Sequence, residues 1–259
     1  NRDIDFSGKE LAIEGQGFGQ TIIDCGGSEG DFHGAFYFHT AEDSSLIRGL
    51  EIINAYYGLS SNDRGAITCS GSSPTITDCT IRNNRSHGVT IGGTSAPSLV
   101  TLQISSNAGW GISMPGYPYL SMGVTVIYSQ IDHNSLGGMI LTRAVESTLV
   151  ALNTIADNGG HGLFLQGDLP LASSGAAWDT TTIIEQNVFA FNANRGIYFM
   201  SFFTGVHYRF NLSFANGGAD IFGLTPDTSC MLSADPLFCQ SASPMPYSVG
   251  VVSPCLAAN

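Results

Sequence analysis

Trp110, Phe164 and Tyr198 stand at outward positions of a sequence repeat, with His87 and His161 at neighbouring outward positions. Tyr117, Tyr119 and Trp178 fall in loops beside them. Aromatic faces stack on sugar rings, and a groove of aromatics with few polar groups suits a glycan. These aromatics and His87 are the expected substrate-binding set; a tolerated apolar patch or a contact with a partner chain would have the same composition. Carboxylates nearby are Asp132, Glu146, Asp157, Asp168 and Asp179. Glycoside hydrolysis needs two of them across the scissile bond, one protonated and one ionised. Elimination would instead need a base for the proton alpha to a uronate carboxylate, and Arg143 and Arg195 are placed for it. The candidate catalytic set is Asp157, His161, Asp168, Asp179 and Arg195, with hydrolysis favoured over elimination because basic residues are few. His87 and His161 lie three repeats apart, about 14 Å at the spacing of stacked strands and too far for one metal ion.

The elements that position these residues are set by a repeat of about two dozen residues. Asn62, Asn84, Asn107, Asn134, Asn158, Asn192 and Asn216 anchor it, with steps of 22, 23, 27, 24, 34 and 24. Such a period points to a solenoid. Apolar columns stand eight before the anchor (Ile76, Leu99, Val126, Val150, Ile184, Tyr208) and three before it (Ile81, Ile104, Ile131, Ile155, Phe189). Others stand five after it (Val89, Ile112, Met139, Leu163, Ile197) and seven after it (Ile91, Met114, Leu141, Leu165, Phe199). Columns two residues apart mean strands, and the short bursts leave no room for a helix in each repeat. Stacked windings turn the Asn column into a hydrogen-bonded ladder. A second ladder is expected at Asn153, Asn187 and Asn211, with Cys79, Leu102 and Ser129 in its earlier places. Outward positions follow three after the anchor (Gly65, His87, Trp110, Gly137, His161, Arg195) and six after it (Thr68, Thr90, Ser113, Ile140, Phe164, Tyr198, Phe222).

This pattern resembles the right-handed parallel β-helix proteins of the pectin-lyase-like class, over about Ile22 to Phe222. The resemblance implies an all-β, single-stranded right-handed solenoid of about eight windings with a C-terminal capping tail. It implies little about chemistry, since one coil serves lyases, hydrolases, epimerases, adhesins and inert modules. In enzymes of this fold the cleft runs over the strand after the turn glycine, which here bears the outward residues above. Gly160-His161-Gly162 is similar to the Gly-His-Gly of polygalacturonase-type hydrolases. Those also carry a paired Asp-Asp, which this chain lacks; Ser86-His87-Gly88 shows that the repeat makes such tripeptides by itself. The opening Asn1 to Gly17 resembles that of secreted bacterial β-helix repeat proteins, which implies a secreted or cell-surface location; those proteins usually carry an amphipathic capping helix upstream of this stretch.

The 259 residues are read as one elongated domain: irregular windings over 1–40, regular repeats over 41–223 and a cap or tail over 224–259. Insertions at Pro115–Met122 and Gly167–Thr180 leave the coil after the same strand, and one-sided insertions mark a working surface. A formal charge of −12, with one lysine, speaks against nucleic acid, whose phosphates need clustered Lys and Arg. Polyanions are disfavoured likewise unless Ca²⁺ bridges the charges; no cofactor is expected, and Ca²⁺ would enter only as such a bridge. No apolar run is long enough to span a membrane, and a monomer is expected. Cys239 and Cys255 flank the Pro-rich tail and are expected to form a disulfide, which implies an oxidising compartment. Cys69 and Cys79 fall in inward columns and read as small buried hydrophobes. The sequence thus points to an extracellular carbohydrate-active protein that binds and cleaves polysaccharide. A non-catalytic glycan-binding, adhesive or structural module is the alternative, and an ice-binding face is disfavoured because its Thr columns are broken by Ile, Phe and Tyr.

Overall fold

Alternation along each strand puts one side chain inside the coil and its neighbours outside, and the computed structural model shows three parallel sheets wound together. The described residues are 2–57, 59, 64–115, 123–142, 147–166, 182–200, 206–223 and 231–237. Among them the sheets have nine, eight and nine strands, and every pairing is parallel. Sheet A runs from Ile4–Asp5 through Phe36–Phe38, Gly65–Ser70, His87–Gly92, Trp110–Met114, Gly137–Thr142, His161–Gln166 and Ile197–Met200 to Ile221–Phe222. Sheet B runs from Ala12–Glu14 to Val206–Arg209, and sheet C from Ile22–Asp24 to Met231–Leu232.

The predicted inward columns form one core. Ile76, Leu99, Val126 and Val150 from sheet B meet Ile81, Ile104, Ile131 and Ile155 from sheet C, all fully buried. Sheet A adds Val89, Ile112, Met139 and Leu163. Burying each such side chain stabilises by roughly 1.5–3 kcal/mol. A one-residue slip would turn a whole column outward, so the stacking register is strongly specified. Phe36 and Phe38 face in while Tyr37 is half-buried on the outside, as their alternation requires. Cys69 and Cys79 are buried free thiols, as is Cys25, and burial pushes the Cys25 thiol up to about 12. Cys239 and Cys255 lie outside the described residues.

Both sharp corners use the same device. The residue before each ladder position has a left-handed backbone: Asn83, Ser106, His133 and Asp157 at one corner, Tyr128, Leu152, Gln186 and Phe210 at the other. That bend turns the next side chain inward, where it meets the stack. Asn84 donates from Nδ2 to Asn107 Oδ1 at 2.9 Å, Asn107 to Asn134 at 2.9 Å, and Asn134 to Asn158 at 3.1 Å. The ladder continues through Asn192 to Asn216. The second ladder joins Asn153, Asn187 and Asn211, and Ser129 enters it by accepting the Leu102 N–H at 3.0 Å. One register expectation is corrected. Asn62 lies outside the described residues, and the winding before Asn84 places Ala55 at the foot of the ladder, its N–H donating to Asn84 Oδ1 at 2.8 Å. Ala55 follows a left-handed Asn54, so the corner is kept while the amide is lost.

Candidate functional site on the outer face of sheet A

The strands that carry the outward columns stack with Trp110 opposite Gly137, Gly137 opposite His161, Ile140 opposite Phe164, and Phe164 opposite Tyr198 and then Phe222. Parallel stacking therefore places side chains that are far apart in sequence on one line along the coil axis. Phe164 and Tyr198 stack at 5.1 Å between ring centroids with an interplanar angle of 11°. Trp110 lies 6.3 Å from Phe164, although a full winding separates their strands. Gly137, in that intervening winding, makes this possible. A Cβ there would come within 2.1 Å of the Trp110 ring, so the indole occupies the space that any other side chain would need. Gly137 also has φ +152, which disfavours an L side chain independently.

His161 sits between the rings, 4.9 Å from Tyr198 and 5.6 Å from Phe164. Its Nδ1 accepts the Arg195 N–H at 3.3 Å. In the neutral ring the proton is then assigned to Nε2, which makes the exposed edge a donor and not a base. Burial and the Arg195 charge both hold its pKa below the ordinary histidine value, so the ring is neutral near pH 7. The Arg195 guanidinium lies over Tyr198 at 4.8 Å and over Phe222 at 4.4 Å. Its Nε makes no hydrogen bond, and no carboxylate pairs with it among the described residues. Phe222 closes the row, 5.4 Å from Tyr198 and 48% exposed. The result is an aromatic strip with one cation that has no carboxylate partner among the described residues.

Other predicted site residues fall elsewhere. His87 was expected to face solvent, and this is corrected: it is 2% exposed, with Nδ1 accepting the Trp110 N–H at 2.9 Å. Imidazole at this repeat position reaches the next winding's backbone, which pulls it against the sheet. Thr68, Thr90 and Ser113, also expected outside, are buried. Asp132 belongs to sheet C and not to this face; it accepts from Gln130 Nε2 at 2.7 Å and meets His133 Nδ1 at 2.7 Å. Asp157 is exposed at the corner before His161, with φ 53. Asp168, Asp179, Tyr117, Tyr119 and Trp178 lie outside the described residues, as do Arg143 and Glu146. No Asp or Glu occurs in the sheet A strands from Trp110–Met114 to Ile221–Phe222. Among the described residues no group of three or more His, Cys, Asp or Glu could hold a metal ion. Gly137 was missed as a site residue, though its sequence signal is a glycine in an outward column otherwise filled by Trp110, His161 and Arg195.

The coil has solved counterparts. A pectate lyase superposes with a TM-score of 0.50 at 14% identity, covering 94% of this chain and 81% of the lyase. The A-module of the Azotobacter vinelandii mannuronan C-5 epimerase gives 0.43 at 17% identity, covering 87% of this chain and 84% of the module. No protein of curated function matches the chain. The family profile described as right handed beta helix region matches residues 64–228, the windings that carry both ladders and the aromatic strip. With most of its length in that match and every described strand in a parallel coil, the chain belongs to the right-handed parallel β-helix family.

Proposed function

We propose that the protein is an extracellular polysaccharide-binding β-helix whose ligand lies along the coil axis on the outer face of sheet A. The observation that carries this reading is the strip of Trp110, His161, Phe164, Tyr198 and Phe222, with the Arg195 guanidinium over the rings at one end. The Phe164–Tyr198 stack, with Trp110 and Phe222 tilted beside it, supplies aromatic surface for the apolar faces of sugars, and the His161 Nε2–H and the guanidinium supply sparse donors for hydroxyl or carboxylate oxygens. The pectate lyase that shares the fold acts, by its name, on a polysaccharide, which supports the ligand class.

Binding is favoured over cleavage because the strip's own strands contain no carboxylate. Hydrolysis is the chemistry we assign if the chain is an enzyme, with Asp157 at the corner and Asp168 and Asp179 supplying the acid and base. The test is a panel of pectate, alginate, xylan and hydroxyethylcellulose, examined by affinity gels for binding. Reducing ends and the absorbance of unsaturated uronates are followed in the same samples. Retardation by at least one polymer is expected, weakened about tenfold or more in Tyr198→Ala, the scale of one or two aromatic contacts. Reducing ends without unsaturation would add hydrolysis to binding. No retardation by any polymer, or equal retardation of a folded Tyr198→Ala protein, would overturn the proposal.

A further inference from the structure

We infer that the coil carries a second glycan platform toward its N-terminal end, built by Phe32, Tyr56 and Tyr57 at the corner that leads into the sheet A strands. This rests on the reading of the Trp110 strip as a glycan site. Phe32 is 54% exposed and stacks on both tyrosines, 5.7 Å and 23° from Tyr56 and 6.4 Å and 11° from Tyr57. The Arg85 guanidinium lies 4.9 Å from the Tyr56 ring centroid. The platform therefore repeats the composition of the strip: stacked rings with one cation over them.

It also repeats the construction. Gly34 lies two residues before the strand Phe36–Phe38, and extending that strand's register sets it opposite Gly65, at the head of the column that runs through Gly65, His87 and Trp110 to Gly137. A Cβ at Gly34 would crowd the Tyr57 ring at 3.1 Å and the Gly65 and Ala66 carbonyls at 3.2 Å, a milder contact than the one at Gly137, which would strike Trp110. Each glycine leaves room for a ring to lie against the sheet. Four strand spacings separate the two glycines, about 19 Å. Between them His87, Thr68, Thr90 and Ser113 are buried, so these are two separate contacts and not one continuous strip.

The segment that presents Phe32 is held in place before any ligand arrives. His33 bonds Asp31 through Nε2 at 2.7 Å and Asp3 through Nδ1, and the second bond ties the segment to the residue just before the strand Ile4–Asp5. Backbone bonds between His33 and Tyr56, at 2.9 and 3.1 Å, fix it to the tyrosines. Pre-set rings lose little freedom on binding. A single chain that touches both platforms gains affinity through effective concentration, whereas a short one touches only one.

The experiment compares wild type, Phe32→Ala and Trp110→Ala by calorimetry, using whichever polymer of the panel binds wild type most tightly and its trisaccharide. Circular dichroism checks that each variant folds. The expected result is that Phe32→Ala weakens polymer binding at least tenfold and leaves trisaccharide binding at the Trp110 strip unchanged, while Trp110→Ala weakens both. Wild-type polymer affinity in Phe32→Ala, with Trp110→Ala impaired, would overturn the second platform and leave the first standing. Unimpaired Trp110→Ala, or no binding by any polymer, would overturn the strip itself and the second platform with it.

Discussion

Replacing Asn134 by alanine is expected to be among the most damaging single changes in this coil, although it touches neither strip. Asn134 Oδ1 accepts from the Asn107 N–H at 3.2 Å and from Asn107 Nδ2 at 2.9 Å, and its Nδ2 donates to the Ile104 carbonyl and to Asn158 Oδ1. Both Asn107 and Asn134 are fully buried. Alanine leaves two buried donors without an acceptor, at roughly 1–3 kcal/mol each, and removes two further bonds. A water entering the vacated space would recover part of that, so a loss of about 3–5 kcal/mol is expected. Asn216 ends the same ladder but is half-exposed, and water can replace its amide there. Asn216→Ala is therefore expected to cost about 1 kcal/mol. Urea unfolding followed by circular dichroism compares the two, with midpoints reported beside free energies because a repeat array need not unfold in two states. An Asn134→Ala protein within 1 kcal/mol of wild type, or equal losses at both sites, would refute the reasoning.

Three other outcomes are expected. Glu42 is fully buried; burial pushes its carboxyl up, but the Ser72 hydroxyl and the Thr40 and Gly8 N–H groups outweigh this and hold it at about 2. Against an ordinary value of 4.5 that contributes about 3 kcal/mol, present above pH 4.5 and lost as pH falls toward 2; parallel acid profiles for wild type and Glu42→Gln would contradict it. His87→Ala should lose about 1–3 kcal/mol by orphaning the Trp110 N–H, while Trp110→Ala, at a half-exposed position, should unfold at nearly the wild-type urea concentration. Arg195→Ala should raise the His161 pKa toward the ordinary range in an NMR titration, because one of the two causes that lower it is removed; an unchanged titration would dismiss the charge as a cause.

The coil was legible because its signal is periodic. Ile76, Ile81, Val89 and Ile91 repeat their spacing in winding after winding, and each repeat is an independent vote for the same inward columns. The start of the Asn ladder was not, because Ala55 keeps the corner without the amide and Asn62 offers a false match seven residues later. Outward orientation was read correctly for Phe164 and Tyr198, but orientation is not exposure: His87 points away from the core and is still buried. Asp132 shows a third limit, since a carboxylate two residues before the anchor belongs to a different sheet from the residues after it. The seat at Gly137 depends on a ring reaching across a whole winding, which spacing within one repeat does not express. Phe32, Tyr56 and Tyr57 escaped notice because the segment that brings them together belongs to the irregular first winding, where the period offers no columns to compare.

The most direct test of the account is whether a bound glycan touches Trp110. In a Trp178→Phe background Trp110 is the sole tryptophan, and its emission reports the strip alone during titration with the polymer that binds. The account predicts a saturable change in that emission with the same midpoint as binding measured by calorimetry, weakened when Tyr198 is replaced by alanine. Polymer binding by calorimetry with Trp110 emission unchanged would place the ligand elsewhere and contradict the assignment of this face.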